Sequence, residues 1–126
     1  MKKITLLLAL LLTISLQAYD SEITAKEVLY LQEEKKIELN GDISLAFDGW
    51  TFLAERGEFH IEEKKLLLKG NAVRKASFSN KRKSVFGEAN YIEVILSESI
   101  NLSGDAILTS DSENIKSNKI SYKFPN

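Results

Sequence analysis

The sequence predicts an all-β domain in which one sheet of bent strands folds over on itself as a sandwich or flattened barrel, built from about three and a half hairpin repeats. Three observations lead there. Ile23 to Ile43 and Phe52 to Ala72 are two copies of one segment, aligned without a gap at an offset of 29 positions; a fixed period of this size signals stacked copies of one supersecondary unit. Within each copy, apolar residues alternate with polar ones, the period of a strand with one dry face. The first strand of each copy changes phase midway, as a β-bulge would make it.

The elements follow in order. Lys2 and Lys3 precede an apolar run, Ile4 to Leu16, and Gln17-Ala18 offers a small residue for cleavage. Residues 1–18 therefore read as a secretory signal peptide and 19–126 as the mature domain. The run is too short to cross a bilayer comfortably, and the alternative is a retained membrane anchor. Either reading puts the domain outside the cytoplasm. In the first strand Ile23 and Ala25 share one parity and Val28 and Tyr30 the other, so an extra residue near Lys26-Glu27 resets the facing and bends the strand. After the charged turn Glu33 to Lys36, the residues Ile37, Leu39, Ile43 and Leu45 alternate with Glu38, Asn40, Asp42 and Ser44.

Asp48-Gly49 is a short link to Trp50 and the second copy. There Ala54 is followed out of phase by Gly57 and Phe59, and Leu66, Leu68 and Ala72 alternate, although Leu67 breaks the pattern. Gly41, Gly70 and Gly104 fall at one site in successive copies, where a missing side chain suits a bend or close packing. The stretch from Arg74 to Ser84, with Arg74, Lys75, Lys81, Arg82 and Lys83 around Phe78, reads as a basic loop. The third copy, Val85 to Ala106, runs from Ala89 through Tyr91 to Ile100, Leu102 and Gly104. Its distance from Ala89 to Gly104 is 15 positions against 13 from Val28 to Gly41, an even difference that preserves facing. Tyr91 to Leu96 is apolar on both parities, which leaves its facing open. Ile115 to Phe124 supplies a last half copy, and Pro125-Asn126 is expected to fray.

Bulk properties narrow the function. The formal charge of −1 becomes −3 once Lys2 and Lys3 are removed with the leader, which does not fit a general nucleic-acid binder. Cysteine is absent, so disulfides and thiolate metal sites are not expected. A lone histidine, His60, alternates with Phe59 and Ile61 and so lies on the wet face. An imidazole without a positioned partner makes neither a triad nor a metal site. No serine sits in a nucleophile-elbow pattern, and Glu33-Glu34 and Glu62-Glu63, each followed by two lysines, read as solubilising turn charges. Neither catalytic residues, nor a metal, nor a cofactor is expected. The basic stretch has two readings, contact with an anionic lipid or membrane surface and a solvated loop.

Tyr30, Phe47, Phe52, Phe59, Tyr91, Tyr122 and Phe124 recur at corresponding strand positions, so they are expected to line one interior. That interior is either an ordinary core or a conduit. A stack whose terminal strands are unpaired is open at its ends and offers free backbone groups to another chain.

The repeated pattern resembles that of the LptA/OstA family of periplasmic lipopolysaccharide transport proteins, I-x-A-x-x-A-x-Y, a charged turn, then V-x-L-x-G-N-V. Here it stands as Ile23, Ala25, Val28, Tyr30, then Ile37, Leu39, Gly41, Asp42, Ile43; as Phe52, Ala54, Gly57, Phe59, then Leu66, Leu68, Gly70, Asn71, Ala72; and as Ala89, Tyr91, then Ile100, Leu102, Gly104, Asp105, Ala106. The resemblance spans the mature chain. Gly57 departs from the pattern at its second alanine. It implies an open β-jellyroll whose apolar groove shields the acyl chains of lipopolysaccharide in the periplasm, as a bridge from inner to outer membrane. The acyl-facing residues would be Ile23, Val28, Tyr30, Ile37, Leu39, Phe52 and Phe59 in the first two strand pairs. Leu66, Leu68, Tyr91, Ile100, Leu102, Ile120 and Tyr122 would complete the set. Implied partners are lipopolysaccharide, inner-membrane and outer-membrane transport proteins of related fold, and a second copy joined head to tail through roughly Ile23 to Leu31 and Ile115 to Phe124. The alternatives are a membrane-anchored LptC-type component and a non-catalytic structural repeat protein with a filled core.

Overall fold

In the computed structural model, which describes residues 21–111 and 113–124, the described chain is strand and turn. Expectations for residues 1–18 and for Pro125-Asn126 lie outside the described residues. Ten strands form one antiparallel sheet: β1 (Ser21–Thr24), β2 (Glu27–Leu31), β3 (Lys36–Phe47), β4 (Trp50–His60), β5 (Lys65–Lys69), β6 (Ala76–Asn80), β7 (Val85–Ala89), β8 (Tyr91–Ile95), β9 (Ser99–Ser110) and β10 (Glu113–Lys123). Three pairs of short strands, β1/β2, β5/β6 and β7/β8, are each one bent run interrupted at its middle. The fold is therefore an up-and-down series of seven bent runs, each paired with its sequence neighbours.

Every run bends at the same level, and this turns one sheet into two layers. The first layer holds β2, the start of β3, the end of β4, β5, β8, the start of β9 and the end of β10. The second holds β1, the end of β3, the start of β4, β6, β7, the end of β9 and the start of β10. The bend is an extra-residue bulge. Gly41 and Asp42, both left-handed at φ 81° and 45°, face Glu55 alone between the pairs Asn40–Arg56 and Ile43–Ala54. The backbone N–H of Lys26 donates to the Gly41 carbonyl at 2.9 Å, which fixes the phase change expected between Ala25 and Val28. Gly104 and Asp105 repeat the geometry at 84° and 48°, with Asn90 donating to Gly104 at 2.9 Å.

Two expectations are corrected by the ladders. Arg74 to Ser84 is not a loop: Ala76, Phe78 and Asn80 are buried along β6, which continues the run of β5 against β4. Four residues inserted after Gly70 hide this, because Ala76 rather than Ala72 takes the place that Ile43 holds in the first copy. The insertion is a tight turn in which Asn71 Oδ1 accepts from the N–H groups of Val73 and Arg74 at 2.8 and 2.7 Å. The third copy is likewise out of the expected register. Val28 and Ile92 are the equivalents, each opposite the leucine two residues before its bend glycine, Leu39 and Leu102. The hairpin is shorter by one residue, not longer by two, since three residues join β8 to β9 where four join β2 to β3.

The core lies between the layers. Ile37, Leu39, Phe52, Phe78, Ile92, Ile100 and Leu102 are buried to 2% exposure or less, each contributing about 1.5–3 kcal/mol by leaving water. An aromatic cluster fills one end: Trp50 stacks on Phe52, and Tyr122 and Phe124 from β10 and its end meet the Trp50 ring edge-on at 5.8 and 5.3 Å.

Candidate functional site: the apolar interior and its open edges

Cross-strand partners on an antiparallel ladder point to the same face, so the register assigns each expected site residue to inside or outside. Ile37, Leu39, Phe52, Phe59, Leu66, Leu68, Ile100 and Leu102 are buried inside. Ile23, Val28, Ile120 and Tyr122 face the same interior and pack on its margin, half-buried. Tyr30 pairs with buried Ile37 and so faces inward, yet 37% of it is exposed because β2 has no strand beyond it. Tyr91 is the exception. It pairs with Lys69 and Ser103 on the outer face and is 51% exposed; in the corrected register it is the counterpart of outward Glu27, and Ile92 and Val94 take the interior.

Sequence reasoning missed several interior residues. The sequence marks Trp50 only as the residue after a link, sets Phe78 in a basic stretch that reads as a loop, and leaves the facing of Ile92 and Val94 open. The alternation Ala76-Phe78-Asn80 was the available signal for β6. For β8 it was the length of the following turn, which sets register more firmly than residue type does.

The interior is lined mainly by apolar side chains. The buried polar residue described on the inner face is Asn80, whose Oδ1 accepts from the Lys83 N–H at 3.2 Å to hold the β6–β7 turn; Ser99, also buried, lies on the outer face beside Ile95 and Lys123. Among the described residues no group of three His, Cys, Asp or Glu side chains converges on a metal-sized site. His60 stands on the outer face, 3.1 Å from Glu58. Among the described residues no helix is long and apolar enough to cross a membrane.

Both ends of the sheet are unpaired: β1 and β2 bond to β3 alone, and β10 to β9 alone, among the described residues. At these edges the inner face loses its cover; on β10 it carries Ile115, Ile120 and Tyr122 together with the polar Glu113 and Ser117. Ile115, opposite buried Leu108, is 45% exposed on β10, as Tyr30 is on β2. The arrangement defines an open β-jellyroll with an apolar interior leading to two free edges.

No family model matches the chain, and no curated protein matches it. A solved structure with the same fold is LptH of Pseudomonas aeruginosa, described as the LptA-homologous periplasmic component of the lipopolysaccharide transport device. The TM-score is 0.74 at 11% identity, over 86% of this chain and 78% of that one. At this identity the likeness concerns the fold.

Proposed function

We propose that the chain is a periplasmic lipopolysaccharide-binding bridge component, which helps carry lipopolysaccharide from the inner to the outer membrane by covering its acyl chains with the inner face of the jellyroll. The observation that carries this reading is the pair of uncovered inward residues, Tyr30 and Ile115, at the two free edges. A lipid chain loses about 0.8 kcal/mol per methylene on returning to water, so apolar side chains left uncovered at the edges suit it. The likeness to LptH supports the same reading. The free edges suit partners of related fold, and a second copy, joined strand to strand. The work is binding alone and needs no catalytic residue in this chain.

The packed centre favours a second reading, a structural repeat protein with a filled core, because Phe52 and Phe78 are already buried to 0% and 1% without any lipid. Photocrosslinking in cells decides between them, with a photoreactive residue at Ile115 or at Phe86. Phe86 is an equally exposed aromatic on the outer face, opposite Ser79 and Thr109. A lipopolysaccharide adduct at Ile115 and not at Phe86 is expected. Adducts at neither position in folded protein would leave the filled-core reading standing.

A further inference from the structure

The outer face of the first layer is ruled into rows of charge. Nearest the hairpin turns, Lys36, His60 and Lys65 stand side by side. The next row holds Glu38, Glu58 and Glu93; the third, beside the bend, reads Asn40, Arg56, Lys69, Tyr91, Ser103, Lys119 across six strands. The acidic row is engaged on its turn side: Glu38 and Glu58 with Lys36 at 3.5 and 3.8 Å, Glu58 with His60 at 3.1 Å, Glu93 with Lys65 at 3.7 Å. Among the described residues Arg56, Lys69 and Lys119 have no carboxylate within ion-pair distance. Like charges directly opposite destabilise a ladder, yet Arg56 and Lys69 are opposite one another. Glu27 heads the same row, separated from Arg56 by Asn40.

Tyr91 stands in the middle of this row, with Lys69 Nζ 5.6 Å from its ring centre. A groove of about 360 Å³ lies on one side of it, towards Arg56 and Asn40, with Glu38 and Glu58 on its turn side. Another of about 470 Å³ lies on the other side, towards Asn101, Ser103, Lys119 and Ser121, with Glu93 on its turn side. Each is within the size range of small-molecule sites. A half-exposed aromatic face, hydroxyls and amides beside it, and cations without anions form a chemically specific surface. The ring offers a platform for the C–H face of a sugar, Ser103 can bond its hydroxyls, and Arg56 with Lys69 can hold an oxyanion.

We propose that the outer-face row centred on Tyr91 binds a phosphorylated sugar. This rests on the row itself and is independent of the interior lipid reading. The test is an NMR titration of the whole mature chain with glucose 6-phosphate, glucose and inorganic phosphate. Glucose 6-phosphate should saturate, on the order of millimolar, with shifts confined to the amides around Arg56, Lys69, Tyr91 and Ser103, and should bind more tightly than either fragment. Tyr91→Ala and Arg56→Gln should each weaken it about fivefold while leaving the rest of the spectrum unchanged. A phosphorylated glycolipid in detergent micelles, titrated alongside, tells a headgroup from a free sugar phosphate by which binds more tightly. The proposal is overturned if glucose 6-phosphate shifts none of these amides, if phosphate alone matches it, or if Tyr91→Ala binds it as the parent does.

Discussion

The ring of Phe78 packs against Gly87, its partner across the β6–β7 ladder; a Cβ on Gly87 would sit 2.2 Å from a ring carbon. A large aromatic fully buried at 1% thus depends on the one residue opposite that has no side chain. Gly87→Ala should cost about 1–3 kcal/mol as an overpacking change. In the Phe78→Leu background the same substitution should cost clearly less, and urea unfolding of the double-mutant cycle measures the difference.

At the bends, Gly41 and Gly104 are needed for a different reason, their left-handed backbone. Gly104→Ala should destabilise by about 1–2 kcal/mol, and its Cβ would also crowd Asn90 at 2.8 Å. Chemical unfolding measures the loss, and Asn90→Gly, which also removes the Asn90 Cβ at 2.9 Å, should relieve only the crowding.

Trp50, the only tryptophan of the chain, reports on the end of the core that the aromatic cluster fills. Replacing Tyr122 and Phe124 together by alanine should move its fluorescence to longer wavelength and cost about 2 kcal/mol, roughly half the loss at a fully buried aromatic site. Unchanged emission would mean that the end of β10 does not cover Trp50.

The surface ion pairs should matter little by comparison. Lys36 is the shared cation of Glu34, Glu38 and Glu58 and only 18% of its side chain is exposed. Lys36→Met should cost about 0.5–1 kcal/mol, and the cost should shrink in about 1 M salt as the repulsion between facing Glu38 and Glu58 is screened. A loss that does not respond to salt would assign Lys36 a packing role.

The first two copies were legible because Ile37, Leu39, Leu66 and Leu68 sit in strands with one wet and one dry face, so alternation alone gives their direction. Tyr91 was misread because apolar residues fill both parities from 91 to 96. Its facing depends on the three-residue turn after β8, a detail that the loose third copy does not advertise. Phe78 was hidden by the four-residue insertion after Gly70. The row of Arg56, Lys69 and Lys119 could not be seen at all. It joins residues far apart in sequence through the register of successive ladders, and residue spacing has no way to report a cross-strand line.

The count of seven runs has a directional consequence. In an antiparallel series of odd number the outermost runs point the same way, so β1/β2 and β10 are parallel to each other. A copy added edge to edge without rotation therefore meets its neighbour through parallel bonding and leaves the two unlike edges free at opposite ends of the row. Such a row has a front and a back, and can grow without limit. Pairing of like edges requires a two-fold turn, bonds antiparallel, and completes itself at two copies.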